Sequence, residues 1–213
     1  MKPGLDIIIA CPQCKMLHRQ GTLMSGNTIG AKFWTDGKME APMLPEIPII
    51  TKCGKCNSIF WIKDAEKIGE ISPFAEAMED AEVPPEWRNS PRISKLDKTS
   101  LIEALNTEIA KSSKDEKYLR VRLWWGINDE IRKGLQNIPE KDKPVFKENL
   151  EKLISLLGDE DPQERVMKAE AYREMGVFDQ VSPLLQELPE KFQRAAEKIK
   201  NLSEQNKIIV SEF

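Results

Sequence analysis

The sequence predicts an α+β protein whose two kinds of structure are segregated along the chain, with a small β-rich N-terminal part and an all-helical C-terminal part. Three observations predict this. The only four cysteines stand as Cys11-Pro12-Gln13-Cys14 and Cys53-Gly54-Lys55-Cys56, within a stretch of short apolar runs broken by Gly, Pro and Asp. From about residue 98, apolar residues recur every three or four positions, the helical period. Between these parts, Pro73, Pro84, Pro85 and Pro91 mark a connector. The expected organisation is therefore a β-rich domain over 1–70, a connector over 71–97 and a helical-hairpin domain over 98–213.

The elements follow in order. Ile7–Ala10 forms a strand that enters the first cysteine turn. Thr28–Trp34 and Lys38–Met39 flank Asp36-Gly37, a pair favoured in tight hairpin turns. Ile49–Lys52 leads into the second cysteine turn and Ile59–Ile62 leaves it, while Pro42, Pro45 and Pro48 limit regular pairing on the approach. In the connector, Ser72-Pro73 with Glu76 signals a short helix over roughly 73–82. Pro84-Pro85 and Ser90-Pro91 favour extended chain.

Six helices account for the remainder. Asp97 or Thr99 caps the first, which reaches about Ser112. The second runs from Asp115 to about Gln136, with Leu119, Leu123, Ile127, Ile131 and Leu135 at intervals of four. Phe146, Leu150, Leu153, Ile154 and Leu157 form the face of the third, which ends at Gly158. Asp161-Pro162 opens the fourth with a good cap and a proline at the first helical position, and Gly176 closes it. Phe178, Val181, Leu185 and Leu188 mark the fifth; Phe192, Ala195, Ala196, Ile199 and Leu202 mark the sixth. The tail, Ile208-Ile209-Val210, is β-prone and suited to pairing with an edge strand or another chain.

Composition narrows the function classes. The net charge of −3 excludes a polyanion binder by bulk charge, and residues 1–70 (+2) and 71–213 (−5) differ too little to indicate nucleic acid. The apolar run Ile7–Ala10 is shorter than the ~7–15 residues of a secretory core. No stretch approaches the ~20 apolar residues of a membrane span. The expectation is a cytoplasmic protein without membrane partners. In that compartment paired cysteines bind metal or do redox work more often than they form disulfides.

Two residues between thiolates let one tight turn aim both sulfurs at a single ion, and two such turns complete a tetrahedron at ~2.3 Å, the geometry zinc prefers. Cys11, Cys14, Cys53 and Cys56 are thus the expected ligands of a structural zinc. The same spacing admits a four-thiolate iron site or a redox dithiol, although the βαβ context of the latter is missing. His18 is a rival ligand but reads more simply as a surface histidine beside the knuckle. Strand–turn–strand elements around two CxxC pairs resemble the zinc ribbon family over roughly residues 5–65. Lys15 stands where glycine is common, which makes the first knuckle the less regular, whereas Asn57 after the second pair tolerates a left-handed backbone. The small strand-rich part would draw folding free energy from the metal.

Ala169, Tyr172, Gly176, Phe178, Val181, Leu185 and Leu188, ending at Pro189, look like part of a tetratricopeptide repeat over about 165–188. Arg165 and Lys168 replace the usual large apolar residues, Pro183 sits in the first turn of the second helix, and no second clear copy is present. On the preceding long helix, Trp124 lies in the stripe of Leu123, Ile127 and Ile131, while Trp125 points about 100° away. This marks a central helix packed on two sides, with an exposed aromatic contact for a partner as the sharper alternative. Arg120 projects into the stripe, placed to stack on Trp124, to snorkel, or to bind a ligand.

The chain offers little catalytic chemistry. It has one histidine, no glycine-rich phosphate loop and no nucleophile elbow. The function expected is a zinc-binding interaction or adaptor module with a protein partner. Nucleic-acid binding is the first alternative, drawing on Lys15, Arg19, Lys32, Lys52, Lys55 and Lys63 with Phe33, Trp34, Phe60 and Trp61. A dithiol redox enzyme is the second.

Overall fold

A computed structural model describes residues 1–75 and 83–213. It is mixed α+β, with small antiparallel sheets and seven α-helices among the described residues. The chain divides into two compact units, one of Met1–Ala31 with Ala41–Ser100 and the other of Lys32–Glu40 with Leu101–Phe213. The nine residues Lys32–Glu40 lie within the sequence span 1–70 but group with the helices.

In the first unit, β1 (Lys2–Pro3) pairs with β4 (Leu23–Ser25). The central sheet has β2 (Asp6–Ala10) between β3 (Leu17–Gln20) and β9 (Glu66–Ile71), both antiparallel to it. This position explains the unbroken apolar run of β2. One face of the strand packs Ile9 with Cys11, Cys53 and Phe60, and the other packs Ile8 with Ile71 and Ala75. The β2–β9 register slips between Ile8 and Ile9, opposite Gly69. A Cβ on Gly69 would lie 2.2 Å from the Trp87 ring, so the close seat of the indole requires glycine there. A separate ribbon pairs β7 (Ile50–Lys52) with β8 (Ile59–Trp61).

The connector differs from expectation. Residues 73–75 form a turn, and the rest of the expected 73–82 helix lies outside the described residues. Pro84-Pro85 does not continue as extended chain: Pro85–Arg88 is a one-turn helix, α1, with Pro85 in the first helical position, where its missing N–H costs nothing. Beyond it the chain is extended as expected. The Arg19 amide donates to the Pro91 carbonyl (2.8 Å) and the Ile93 amide to the Arg19 carbonyl (2.9 Å), lengthening the sheet beside β3.

The second unit contains the long helices. Helix α2 (Lys98–Asn106) starts at Asp97, whose carboxylate accepts from the Ser100 amide (2.7 Å), and ends short of the expected Ser112. Helix α3 (Ser113–Arg132) is capped by Ser112 and packs on α4 (Lys143–Leu156). It stops before Leu135, because Gly134 adopts a φ of 109°. Helix α5 (Pro162–Glu174) has the expected Asp161 cap, accepting from the Gln163 amide at 2.8 Å. Its core partners are Val181 and Leu188 together with Ala196 and Ile199 of α7 (Glu190–Glu204).

The expected fifth helix is much shorter than its apolar pattern suggests. A 3₁₀ turn over Phe178–Gln180 runs into α6 (Val181–Leu184), and the helix ends there. Arg165 explains the stop and its own departure from an apolar repeat position: its guanidinium donates to the Leu184 carbonyl (3.1 Å) and to that of Gln186, and Glu187 then turns left-handed at φ 49°. Lys168 is likewise engaged, with Asp159 at 2.7 Å.

The hairpin of β5 (Lys32–Phe33) and β6 (Met39–Glu40) turns at Asp36-Gly37 as its sequence predicts, but its first strand is only two residues of the expected Thr28–Trp34. The C-terminal tail pairs with it at Ser211–Phe213, just beyond the apolar triplet 208–210. The Thr35 amide donates to the Ser211 carbonyl (2.9 Å) and the Phe213 amide to the Phe33 carbonyl (3.0 Å).

Candidate metal centre

Each cysteine pair sits in the same local turn. In the first, the Lys15 amide donates to the Cys11 carbonyl (3.0 Å) and the Cys11 amide to the Met16 carbonyl (2.9 Å). In the second, the Asn57 amide donates to the Cys53 carbonyl (2.9 Å) and the Cys53 amide to the Ser58 carbonyl (2.9 Å). Lys15 and Asn57 are both left-handed, at φ 60° and 59°. The expectation that the first knuckle is less regular is therefore corrected. The paired hydrogen bonds hold Lys15 in a conformation that costs a non-glycine residue roughly 1–2 kcal/mol.

The turns bring Cys11, Cys14, Cys53 and Cys56 together, with all four sulfurs within 4.8 Å of one another. Cys11 Sγ lies 3.8 Å from Cys56 Sγ, and Cys14 Sγ 3.6 Å from Cys53 Sγ. A regular tetrahedron of sulfurs ~2.3 Å from its centre has edges of about 3.8 Å, so the donor set fits a metal ion of that bond length. Cys11 and Cys53 are fully buried members of the unit's apolar cluster, beside Ile9 and Phe60. The sulfurs thus sit in one of the unit's two apolar clusters; the other, Ile8 with Ile71 and Ala75, lies on the opposite face of β2.

The four thiols also influence one another's protonation. Cys56 is pulled down to about 6, first by a backbone hydrogen bond at Ser58 and further by its other hydrogen-bonding neighbours, against the effect of burial. Cys14 is pushed up to about 11: the Met16 backbone lowers it, but burial and the sulfurs of Cys56, Cys53 and Cys11 outweigh that. The two thiols are pushed in opposite directions because the sulfurs lie close enough to hydrogen-bond to one another, so that one favours its thiolate while its neighbour keeps the shared proton. A divalent ion removes that sharing.

His18 is not the surface residue its sequence context suggests. It lies on β3 opposite Ile9, is 3% exposed, tilts against Phe60 with ring centroids 6.0 Å apart, and places Nε2 3.4 Å from Cys53 Sγ. Burial lowers its pKa and favours the neutral ring. It contacts a cysteine and does not replace one. Ser58 Oγ stands 3.8 Å from Cys11 Sγ. Neither contact was legible from spacing, since each depends on strand register.

The basic and aromatic residues expected to form a stacking platform differ in exposure and in the unit to which they belong. Arg19, Phe60 and Trp61 are buried. Lys32, Phe33 and Trp34 belong to the other unit.

The second unit holds a buried polar cluster that the sequence did not signal. Asn128 Nδ2 donates to Asp36 Oδ2 (2.9 Å) and contacts both Glu174 oxygens (3.1 and 3.2 Å). Trp124 Nε1 donates to Glu174 Oε2 (2.8 Å), and Trp125 Nε1 to the Asp36 carbonyl (3.0 Å). Arg132 pairs with Asp36, and Arg173 pairs with Glu170 at 2.6 Å while donating to the Ile209 carbonyl at 3.0 Å. Trp124 is buried, as expected of a core position, whereas Trp125 is half-buried and held by its indole hydrogen bond to the Asp36 turn. Arg120 neither stacks on Trp124 nor snorkels: it pairs with Glu116 at 2.7 Å and is held by Asn149, whose amide donates to the Arg120 carbonyl at 2.9 Å. Burial first, then Glu170 and Asp36, pushes Glu174 well above the ordinary carboxylate range. Its side chain has no exposed surface, and the hydrogen bonds of the cluster tie α3 and α5 to the Asp36 turn.

No family model matches the chain, and neither a curated protein nor a solved structure matches it. Among the described residues, no helix is long and apolar enough to cross a membrane.

Proposed function

We propose that this chain binds one structural zinc ion through Cys11, Cys14, Cys53 and Cys56, that its first unit is a zinc ribbon, and that with its tetratricopeptide-like helical unit it serves as an adaptor for protein partners in the cytoplasm. The observation that carries the zinc reading is the set of four sulfurs within 4.8 Å of one another, two pairs of them 3.6 and 3.8 Å apart, at an apolar cluster of the unit. Four thiolates fill every position of a tetrahedral ion, which leaves no place for substrate or water and favours a structural over a catalytic role. A dithiol enzyme would need one accessible sulfur poised against a single partner. Here the four are mutually close, and the first of each pair is buried. Burial of Phe60 and Trp61 removes half of the aromatic platform on which the nucleic-acid reading relied. Packed helices offer surfaces to a protein partner without any catalytic group, and this supports the adaptor reading.

The zinc reading is tested by elemental analysis of protein purified without added metal, beside Cys53→Ser. About one zinc per chain, lost in the variant, is expected; iron in its place would overturn the assignment. The adaptor reading is tested by cross-linking in cells and reassembly of any complex from purified components. Failure of every cross-linked partner to re-form a complex with the pure protein would refute it.

A further inference from the structure

We propose that His18 is a positioning residue of the metal centre, donating a hydrogen bond from Nε2–H to the Cys53 thiolate. The inference rests on the zinc reading and assigns an outer-sphere group to it. A metal-bound thiolate only accepts hydrogen bonds, so a ring nitrogen 3.4 Å from Cys53 Sγ serves that sulfur as a donor. The placement is fixed from several sides. His18 lies within β3, in register with Ile9 of β2, beside the Phe60 ring and nearly sealed from water. Cys53 is itself fully buried, so water cannot supply the same hydrogen bond.

The geometry also makes the centre asymmetric. Cys53 has the imidazole beside it, the Ser58 hydroxyl stands 3.8 Å from Cys11 and also serves Cys56, and Cys14 and Cys56 reach partly to solvent whereas Cys11 and Cys53 do not. A zinc ion with four thiolates carries a formal charge of −2. Spreading part of it onto a buried donor stabilises the loaded site where solvent cannot, and outer-shell partners of this kind typically contribute 10–100-fold in metal affinity.

The test compares the full-length protein with His18→Leu and His18→Gln, all reconstituted first with cobalt(II) and then with zinc. His18→Leu removes the donor and keeps an apolar filler; His18→Gln restores an N–H of similar reach. Competition against a chromogenic chelator should show zinc affinity weakened roughly 10–100-fold in the leucine variant and largely recovered in the glutamine variant. The sulfur-to-cobalt charge-transfer band should move to longer wavelength in His18→Leu, since a sulfur that loses a hydrogen bond gives up its electron more easily, and return towards the original position in His18→Gln. Equal affinity and an unmoved band in His18→Leu would overturn the proposal, as would a glutamine variant no better than the leucine one, which would reduce His18 to packing. Should His18→Leu fail to fold, the band and affinity of His18→Gln against an Asn variant, too short to reach, decide the matter: equal behaviour overturns the proposal. Failure of the unmodified protein to take up either metal is a separate result, which would remove the zinc reading itself.

Discussion

Replacing Glu174 with glutamine should shift stability progressively in the variant's favour as pH rises. The buried cluster of the second unit contains three carboxylates, Asp36, Glu170 and Glu174, against two guanidiniums, Arg132 and Arg173. Adding the Lys38–Asp129 pair at its rim leaves the excess of one negative charge unchanged. Burial disfavours that charge, so Glu174 keeps its proton in the folded protein well above the pH at which an unfolded glutamate, near 4.3, has lost it. The folded state then binds one proton more than the unfolded state. Stability contributed by this group is complete below about pH 4.3 and is lost as pH rises towards the folded value. One proton corresponds to about 1.4 kcal/mol per pH unit within that window. Glutamine preserves the shape and a carbonyl oxygen for Trp124 Nε1–H; its amide nitrogen meets Asn128 Nδ2, a cost that does not vary with pH, and it has no proton to lose. The difference in unfolding free energy between Glu174→Gln and the parent, measured by urea titration at several pH values from 5 to 8, should therefore shift by about 1.4 kcal/mol per unit in favour of the variant until the folded group ionises. A difference independent of pH would show that Glu174 is ionised in the fold throughout and that the charge count does not govern this core.

Three further outcomes are expected. Gly69→Ala would drive a Cβ into the Trp87 ring and should destabilise the first unit by about 1–3 kcal/mol in zinc-loaded urea melts; unchanged stability would show that the indole is not seated against Gly69. Chelation should unfold the first unit while most of the far-ultraviolet helical signal survives, because the helices of the second unit have their own apolar core in Val166, Ala169, Val181 and Ile199; loss of most helicity would mean that the whole chain folds as one cooperative body. Binding to DNA or RNA near physiological salt should be no tighter than about 10⁻⁵ M by fluorescence anisotropy; tight binding with a steep salt dependence, lost on neutralising Lys52 and Lys55, would favour the nucleic-acid reading.

What was legible in the sequence was what local chemistry decides. The CxxC spacing determines where two sulfurs of one turn point, so the four clustered cysteines were readable before any fold was known. The caps at Asp97 and Asp161 were readable because a side-chain oxygen and an amide two or three residues on suffice to make them. The Asp36-Gly37 turn was readable for the same reason, but not what receives it. Asp36 meets Asn128 across 92 positions of sequence, an encounter that no local signal announces, and that contact draws the hairpin to the helical unit. The burial of His18 was not legible because it comes from chain-distant partners: Ile9 lies opposite it on β2, and Cys53, beyond β7 of the separate ribbon, touches its ring. The apolar spacing of Phe178 to Leu188 suggested a full helix. It could not reveal that Arg165 would take the carbonyls on which a longer helix depends.

The central claim is that the first unit is organised around a metal ion held by sulfur alone. X-ray absorption at the zinc edge of the purified, unsupplemented protein tests it most directly. The account predicts about one zinc per chain with a single shell of four sulfurs at ~2.3 Å and no light-atom ligand. A shell containing nitrogen or oxygen, or a fully folded protein with no bound metal, would contradict it.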